Sequence, residues 1–441
     1  MPAASAPIGA AEANRLFAAL SASPRLAVAV SGGADSTALM LLLARWKKTG
    51  AGGPELSVFT VDHGLRAGSR KEAESVGEWA LALGLAHEIL TWRGDKPKSN
   101  IQAAARAARY RLLAEACHRD GIAALVSAHH RDDQAETFLM RLARGSGVDG
   151  LSAMDAVSEM MGITLFRPLL DVPRARLKAT LKAAGQDWIE DPGNEDKRFA
   201  RVRMRAVLER LAEEGVSAER LAATARHMRR ARLALEAATD DLARAAARLE
   251  PAGFCTIDRE ALSAAPAEIA LRLLARALMA VAGKPYRPRL ERLERLFSGL
   301  KETDRGRWTL AGCRIAASRE EVLIWREAGR AGLPEISLDP GKSALWDGRF
   351  HVEIAAEEAG PVAVRALGEE GWREVAGLCG EKPGLPAHIG RTCISFWRNG
   401  KIVAAPHIVA VARPQAAFRA TFIGSILSRG ESLAPLVTGS T

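Results

Sequence analysis

The stretch RLAVAVSGGADSTALMLLLARWKK, residues 25–48, decides the fold of the first half of the chain. Its apolar opening, residues 25–30, predicts a buried strand, and the periodicity that follows predicts a helix over residues 37–48. The loop between them contains two adjacent glycines, Gly32 and Gly33. Glycine lets the backbone approach a ligand closely, and a helix N-terminus presents free amide groups. The arrangement therefore predicts a site for an anion such as phosphate.

The polar residues of this loop fit the same interpretation. Ser31, Ser36 and Thr37 can donate hydroxyl hydrogen bonds, and Asp35 can hold a magnesium ion that bridges phosphate groups. No lysine follows the glycines, so the Walker pattern is absent. A Gly-Gly pair followed by Asp-Ser is also a common turn and helix N-cap. From these residues alone, a purely structural interpretation stays open.

Strand-like and helical stretches alternate through the first half of the chain. The runs ELSVFTV (55–61) and AALVSA (123–128) are typical of buried strands, and residues 70–83 and 132–144 have helical periodicity. Alternation at this spacing predicts an α/β fold with a doubly wound, mostly parallel sheet. Ligands of such sheets bind beyond the C-terminal ends of the strands, which is where the glycine loop lies.

A second polar motif, HHRDDQAET (129–137), follows the strand-like run at 123–128. If a helix begins near Asp132, then Asp133 and Glu136 share one face of it, and His129 lies just before its start. Clustered carboxylates are costly unless a cation or an amine lies among them. Two other interpretations stay open, namely a solvated acidic helix start, which the helix dipole favours, and a divalent metal site.

Composition limits the classes of function. The 441 residues include 62 Lys and Arg against 52 Asp and Glu, a formal net charge of +10, which favours a polyanionic partner. Aromatic residues make up only 5%, so we expect arginine contacts to phosphate rather than base stacking to dominate. The five cysteines stand singly without CxxC spacing, which argues against zinc, iron–sulfur and disulfide scaffolds. No long apolar run or secretory signal is evident, so we expect a cytoplasmic protein with no membrane partner.

The amino-acid composition and pattern change twice along the chain, which predicts three domains. Residues 1–212 form the α/β domain, and residues 213–327, rich in Ala, Leu and Arg, are expected to be helical. Residues 328–441 contain short alternating runs and more Gly and Pro, which predicts a small α+β domain.

Several segments together resemble known families. SGGADS (31–36) resembles the pyrophosphate-binding loop of the PP-loop ATP pyrophosphatases. HHRDDQAETFLMRLARGSGVDGLSAM is similar to a stretch of the tRNA(Ile)-lysidine synthetase family. Four more segments resemble that family in its own order: VDHGLRAGSRKEA (61–73), NIQAAARAARYRLL (100–113), RPLLDVPR (167–174) and DPGNEDKRFARVRMR (191–205). The resemblance is close to about residue 210 and weak thereafter, and Gly193 stands where the family more often has serine.

The resemblance implies a reaction and its participants. ATP would adenylate the C2 oxygen of the wobble cytidine in the CAU-anticodon isoleucine tRNA, and free L-lysine would displace AMP to form lysidine. ATP and Mg²⁺ would be the cofactors. The middle domain would contact tRNA, and the C-terminal domain loosely resembles one that recognises the tRNA acceptor. A second copy of the chain is a further candidate partner, as a homodimer.

The resemblance also implies roles for individual residues. Those expected to bind ATP are Ser31, Gly32, Gly33, Ala34, Asp35, Ser36, Asp62 and His63. Those expected to be catalytic are Asp35, Arg109, His129, Asp133 and Glu136. Asp133 and Glu136 would also bind the lysine ammonium, and Asp35 would bind the metal. Helical spacing of basic residues further predicts tRNA contacts by Arg198, Arg201 and Arg205, although a solvated basic helix face explains the spacing equally well.

Two alternative functions remain open at this point. Thiolation enzymes with a PP-loop use cysteines for sulfur relay or a cluster, and the absence of CxxC argues against them. A tRNA-binding protein that has lost catalysis would have no need of Asp35, Arg109, Asp133 and Glu136 together. Release of pyrophosphate that depends on tRNA and lysine would separate such a binding protein from an enzyme.

Overall fold

Strand β1 (Arg25–Ala29) lies inside a six-stranded sheet. The structure is a computed structural model, and it describes residues 6–49, 53–65, 68–94, 96–97, 99–190, 200–378, 385–408 and 417–427. The other strands are β2 (Glu55–Asp62), β3 (Ala86–Thr91), β4 (Ala124–Val126), β5 (Val157–Met160) and β6 (Ile163–Phe166). The strand order is β3-β2-β1-β4-β6-β5. Every neighbouring pair is parallel except β5 with β6, so the predicted mostly parallel sheet is confirmed.

Helices connect these strands and extend beyond them. They are α1 (Ala10–Phe17), α2 (Ala34–Thr49), α3 (Ser69–Ala82), α4 (Ile101–Arg119), α5 (Arg131–Leu142), α6 (Val148–Leu151), α7 (Arg174–Ala184), α8 (Ala200–Glu213) and α9 (Ala218–Ala246). Helix α2 begins three residues before the predicted Thr37. Its first turn therefore contains Asp35, whose negative charge complements the positive end of the helix dipole.

The sheet is covered on both faces, as a doubly wound fold requires. Side chains alternate along a strand, so Leu26 and Val28 of β1 face one core, which also contains apolar residues of α1, α2, α3 and α7. Ala27 of β1 and Leu125 of β4 face the opposite core, with residues of α4. Burial on both faces explains why these short strands are almost wholly apolar.

The chain divides into two compact units, Met1–Arg232 and Leu233–Thr441, with the boundary inside α9. The first unit contains all of the α/β sheet. The finer division into three domains, with boundaries after residues 212 and 327, stays a prediction.

The second unit begins with helices and an antiparallel sheet. After α9 come α10 (Arg259–Ala264), α11 (Ala267–Ala282) and α12 (Leu290–Glu302), which agree with the predicted helical periodicity. The sheet has the order β7-β8-β11-β10-β9, from β7 (Ala247–Leu249), β8 (Cys255–Asp258), β9 (Gly306–Leu310), β10 (Cys313–Ala317) and β11 (Glu321–Arg326). The helical prediction for this segment did not include these strands, because each is only three to six residues long.

The C-terminal part is α+β, as predicted. One sheet has the order β12-β15-β16-β17 and another β13-β14-β18. Their strands are β12 (Ile336–Leu338), β13 (Ser343–Trp346), β14 (Phe350–Ile354), β15 (Val362–Ala366), β16 (Ile394–Arg398), β17 (Lys401–Ala404) and β18 (Phe418–Phe422), and the helices are α13 (Gly368–Leu378) and α14 (Ala387–Gly390). None of the helices in the described ranges combines the length and hydrophobicity that a membrane crossing needs.

We predict that Gly32→Ala destabilises the first unit and that Gly33→Ala does not. Gly32 has a φ of +85°, and a Cβ there would lie 2.6 Å from Cδ1 of Ile189. A Cβ at Gly33 would meet only Oγ of Ser31, at 3.7 Å. We expect Gly32→Ala to lower the free energy of unfolding by about 1–3 kcal/mol, because a side chain at this φ is strained.

Scanning calorimetry measures the melting temperatures of Gly32→Ala and Gly33→Ala. In a unit of this size, a loss of 1 kcal/mol lowers the melting temperature by about 2–4 °C. Equal melting temperatures for the two variants would contradict the strained geometry at Gly32.

Candidate active site

The two polar motifs of the sequence meet at one edge of the parallel sheet. Strands β1 and β4 are neighbours and run in the same direction, with Ala27 paired to Leu125 and Val28 to Val126. The chain order reverses between them, since β2 lies on the far side of β1. Residues 31–36 follow β1, and residues 127–130 follow β4. The motifs therefore lie at the topological switch point, where doubly wound sheets bind ligands.

Hydrogen bonds within the glycine loop hold its shape. Oγ of Ser36 accepts from the amide of Ser31 and donates to the carbonyl of Gly33, both at 3.1 Å. The hydroxyl of Thr37 donates to the carbonyl of Gly32 at 3.1 Å, and the amide of Ile189 donates to the same carbonyl at 2.8 Å. By helix geometry, the first amides of α2 have no acceptor inside the helix, so they are available to an anion.

His130 joins the glycine loop to the acidic motif. Its Nε2 lies 3.5 Å from Oδ2 of Asp35 and 3.4 Å from Oδ2 of Asp133. The side chain is buried, and burial alone would lower its pKa. Hydrogen bonds and charges from Asp132, Asp35 and Asp133 outweigh that effect and raise the pKa of His130 to about 10. The raised pKa favours the protonated form of His130, whereas the amide of Asp133, 3.4 Å from Nδ1, is placed to donate to an unprotonated nitrogen.

Arg174 supplies a second cation to the same place. Its Nε lies 3.3 Å from Oδ1 of Asp35, and its backbone amide donates to Oδ2 of Asp132 at 3.0 Å. Burial raises the pKa of Asp35, but His130 and Arg174 outweigh burial, so the net pKa lies below the usual range. Asp35 is thus held ionised. No role was predicted for His130 or Arg174, although they lie in the motifs at residues 129–137 and 167–174.

Glu136 lies on α5 and pairs with arginines of α8. Its Oε1 accepts from Nε of Arg205 at 2.6 Å, and its Oε2 lies 3.9 Å from Nε of Arg201. Apolar contacts between the two helices, which include Phe138 and Met204, bring these residues together. Burial raises the pKa of Glu136, and the Arg205 guanidinium opposes the rise. In this structure Arg201 and Arg205 therefore face the site, and their contact with tRNA stays a prediction.

The pKa of His129 is shifted in the opposite direction to that of His130. Its Nδ1 lies 3.0 Å from Oγ of Ser127. Burial lowers the pKa of His129 to about 3, and the positive charges of Arg167, Arg106 and Arg201 add to the effect, against Asp133. His129 is therefore neutral at pH 7, beside an arginine-rich region.

The other residues predicted to bind ATP or phosphate lie outside the cluster around His130. Asp62, at the end of β2, accepts from the amide of Gly64 at 3.0 Å and from Oγ of Ser69 at 2.6 Å, which closes the β2–α3 turn. His63 Nδ1 accepts from the amide of Leu65 at 3.2 Å. Their contact with ATP, and that of exposed Arg109 on α4 with phosphate, stay predictions. Arg198 lies outside the described residues.

Metal-ligand clusters and reactive thiols are missing from the described part of the chain. There, no three His, Cys, Asp or Glu side chains converge as a metal site would require. Cys117, Cys255, Cys313 and Cys393 are buried and free. Burial raises the pKa of the Cys117 thiol to about 11 and those of the other three to about 12. These thiols are therefore protonated at neutral pH and poorly suited to sulfur relay.

The chain is similar in sequence to proteins of one named family. A family model described as "PP-loop domain" matches residues 7–211. A tRNA(Ile)-lysidine synthase from Bradyrhizobium sp. (strain BTAi1) is 48% identical over 339 residues, 72% of this chain and 94% of the relative. The proteins of the same name from Ruegeria pomeroyi and Wolbachia pipientis wMel are each 40% identical. They cover 89% and 78% of this chain and 91% and 80% of their own lengths.

The glycine loop, the acidic motif and the length of the shared sequence lead to one assignment. The chain belongs to the tRNA(Ile)-lysidine synthase family, and its first unit contains an ATP-binding PP-loop domain.

Proposed function

We propose that the chain ligates L-lysine to C2 of the wobble cytidine in the CAU-anticodon isoleucine tRNA, in the cytoplasm. In the first step the C2 oxygen of cytidine attacks the α-phosphate of ATP, an O–P bond forms, and pyrophosphate leaves. In the second step the ε-amine of lysine attacks C2, a C–N bond forms, and AMP leaves with the former C2 oxygen. A proton from the amine passes to a base. The products are lysidine, AMP and pyrophosphate.

ATP binding is supported by the loop after β1. The first amides of α2 and the hydroxyl of Ser31 can donate to the pyrophosphate portion of ATP, and Ser36 holds the loop that presents them. Asp35 would hold Mg²⁺ together with phosphate oxygens, since this ion usually takes only one or two protein carboxylates. The Asp35 side chain fits because it is 26% exposed and ionised. When bound, the ion would neutralise charge on the phosphates.

Lysine binding is supported by the carboxylates of α5. Attack on C2 needs a neutral amine, and with a reference pKa near 10.4 only about one free lysine in a few thousand is neutral at pH 7. Asp133 and Glu136 can first bind the ammonium and then help to remove its proton. The raised pKa of Glu136 suits it to accept that proton. His129, neutral and adjacent, can stabilise charge on the leaving group.

Binding of tRNA is supported by charge. The net charge of +10 favours a polyanion, and α8 presents Arg201 and Arg205 beside the acidic pocket. Arg198 would extend this track, and residues 213–327 would add further contacts. A homodimer is compatible with this arrangement.

The proposal depends on one observation, the contact of His130 Nε2 with both Asp35 and Asp133. That contact supports a shared site for the phosphate loop and the carboxylates proposed to bind lysine. Mass spectrometry tests the reaction directly on an unmodified CAU-anticodon isoleucine tRNA transcript incubated with protein, ATP and lysine. We expect a mass gain of one lysine less one water. Binding of the transcript without turnover of ATP would indicate a binding protein instead.

We predict that Glu136→Gln impairs the second step more than the first. Adenylation does not involve the amine, so pyrophosphate release in a single turnover without lysine should persist. Formation of lysidine should fall by about 10²- to 10⁴-fold, because a general base is lost. Quenched-flow assays of pyrophosphate and lysidine separate the two steps.

The control for this variant is Glu115→Gln, an exposed carboxylate on α4 that pairs with Arg111. It should leave both steps unchanged. An equal loss of both steps in Glu136→Gln would contradict the assigned role of Glu136.

We predict that Arg201→Gln weakens the salt dependence of tRNA binding. Loss of one phosphate contact reduces the slope of log affinity against log salt by about 0.7–0.9. Arg210→Gln is the matched control, since nine residues are about 2.5 helical turns and place Arg210 on the opposite face of α8. Filter binding across a salt series measures both slopes. If Arg201→Gln and Arg210→Gln gave equal slopes, the predicted phosphate contact would be wrong.

A further inference from the structure

The side chains of Ser127 and His129 meet where β4 ends, and none of the roles proposed above uses Ser127. The amide of Ser127 donates to the carbonyl of Phe166 at 2.9 Å, which continues the pairing of β4 with β6 beyond Val126. In an extended chain, residues two positions apart point to the same face. Ser127 and His129 therefore share a face, and Oγ of Ser127 lies 3.0 Å from Nδ1 of His129.

The Ser127 hydroxyl has one acceptor within reach. Ser127 is buried, and a buried hydroxyl proton is costly to leave unpaired. Across the described residues, Oγ of Ser127 forms no hydrogen bond other than the one with Nδ1 of His129. A hydrogen on Nδ1 would leave the hydroxyl proton without an acceptor, so Ser127 donates and Nδ1 accepts. A neutral imidazole whose Nδ1 accepts carries its hydrogen on Nε2.

The charges around His129 favour the neutral ring that this tautomer requires. Burial lowers the pKa of His129 to about 3, and the positive charges of Arg167, Arg106 and Arg201 add to the effect. Asp133 opposes the shift, but within the described ranges it forms no ion pair with His129. Positive charge therefore reaches an uncharged ring from α4, from α8 and from the segment after β6.

The other ring nitrogen of His129, Nε2, is available to a ligand. In the part of the chain that the structure describes, Nε2 makes no hydrogen bond to protein, and the residue is only partly buried. An N–H donor in positively charged surroundings fits an anionic oxygen. The loop at residues 31–36, proposed to hold the phosphates of ATP, follows β1, the parallel neighbour of β4. The α-phosphate is the anionic group that takes part in both steps of the proposed reaction.

We propose that Ser127 is a positioning residue whose hydroxyl holds His129 as the tautomer with hydrogen on Nε2, and that this N–H donates to an oxygen of the α-phosphate in both steps. His129 is thereby a fixed electrostatic donor. It is not the general base, because neither ring nitrogen is free to take a proton from the lysine amine. That task belongs to the carboxylates of α5. This inference rests on the proposed function, because the α-phosphate is a participant in that reaction.

NMR of protein that contains nitrogen-labelled histidine tests the hydrogen bond without any substrate. Correlation of the ring nitrogens with the ring protons distinguishes the two neutral tautomers, and the signals of His129 are those missing from His129→Gln. In the wild type we expect one tautomer, with hydrogen on Nε2. In Ser127→Ala the Nδ1 signal should be displaced, because Nδ1 loses its donor. Ser127→Thr keeps the hydroxyl and should restore the wild-type signal.

Quenched-flow assays test the role of Ser127 in catalysis. Ser127→Ala should slow pyrophosphate release and lysidine formation by the same factor, about ten- to a hundredfold, because the donor to the α-phosphate is no longer held in place. The KM for lysine should not change, since Ser127 does not contact the amine. The matched control is Ser21→Ala, which removes an exposed hydroxyl that donates to the carbonyl of Ala18. It should alter neither step.

Three outcomes would overturn the inference. They are hydrogen on Nδ1 in the wild type, an Nδ1 signal that Ser127→Ala leaves in place, and a loss in Ser127→Ala that is confined to lysidine formation. Lysidine formation by the wild type on the unmodified transcript is measured in parallel. Any of these outcomes with an active wild type refutes the role of Ser127 and leaves the proposed function intact. An inactive wild type refutes the function, while the NMR spectra still report whether Ser127 donates to His129.

Discussion

Buried charge at the C-terminal ends of β1 and β4 is the constraint on which the rest of the site depends. Asp35, Asp132 and Asp133 each lie within 3.7 Å of His130 there, and partly burying them together is costly unless cations compensate. His130 and Arg174 supply that compensation, from the start of α5 and the start of α7. His130 contacts carboxylates of both segments, and Arg174 contacts Asp35 through its guanidinium and Asp132 through its backbone amide, so the pairing fixes the phosphate loop relative to α5. The geometry expected for ATP and lysine follows from that pairing.

Acidic and basic side chains occupy different parts of the site along the edge of the sheet. Carboxylates occupy the first turns of α5, where Glu136 pairs with Arg205 of α8. Arginines of α4 and Arg167 occupy the side next to β6, and the neutral His129 lies between the two regions.

Local patterns were sufficient for much of the fold. The apolar runs at β1, β2 and β4 predicted a buried parallel sheet, because strands covered on both faces lose their polar alternation. Strand β3, with the partly polar sequence AHEILT, was not predicted, since it is less buried than β1. The short strands β7 to β11, in the segment predicted to be helical, were likewise missed. At three to six residues they gain their stability from partners that are distant in sequence.

The sequence by itself determined the phosphate loop, the acidic motif and the membership of the family, because each is a contiguous pattern whose chemistry follows from residue type and spacing. Only the tertiary structure decided that the pKa is raised at His130 and lowered at His129, and that Arg174 and Arg205 pair with Asp35 and Glu136. It alone placed the hydroxyl of Ser127 at Nδ1 of His129. Protonation and ion pairing depend on burial and on neighbours from other segments, and neither can be read from a local stretch of sequence.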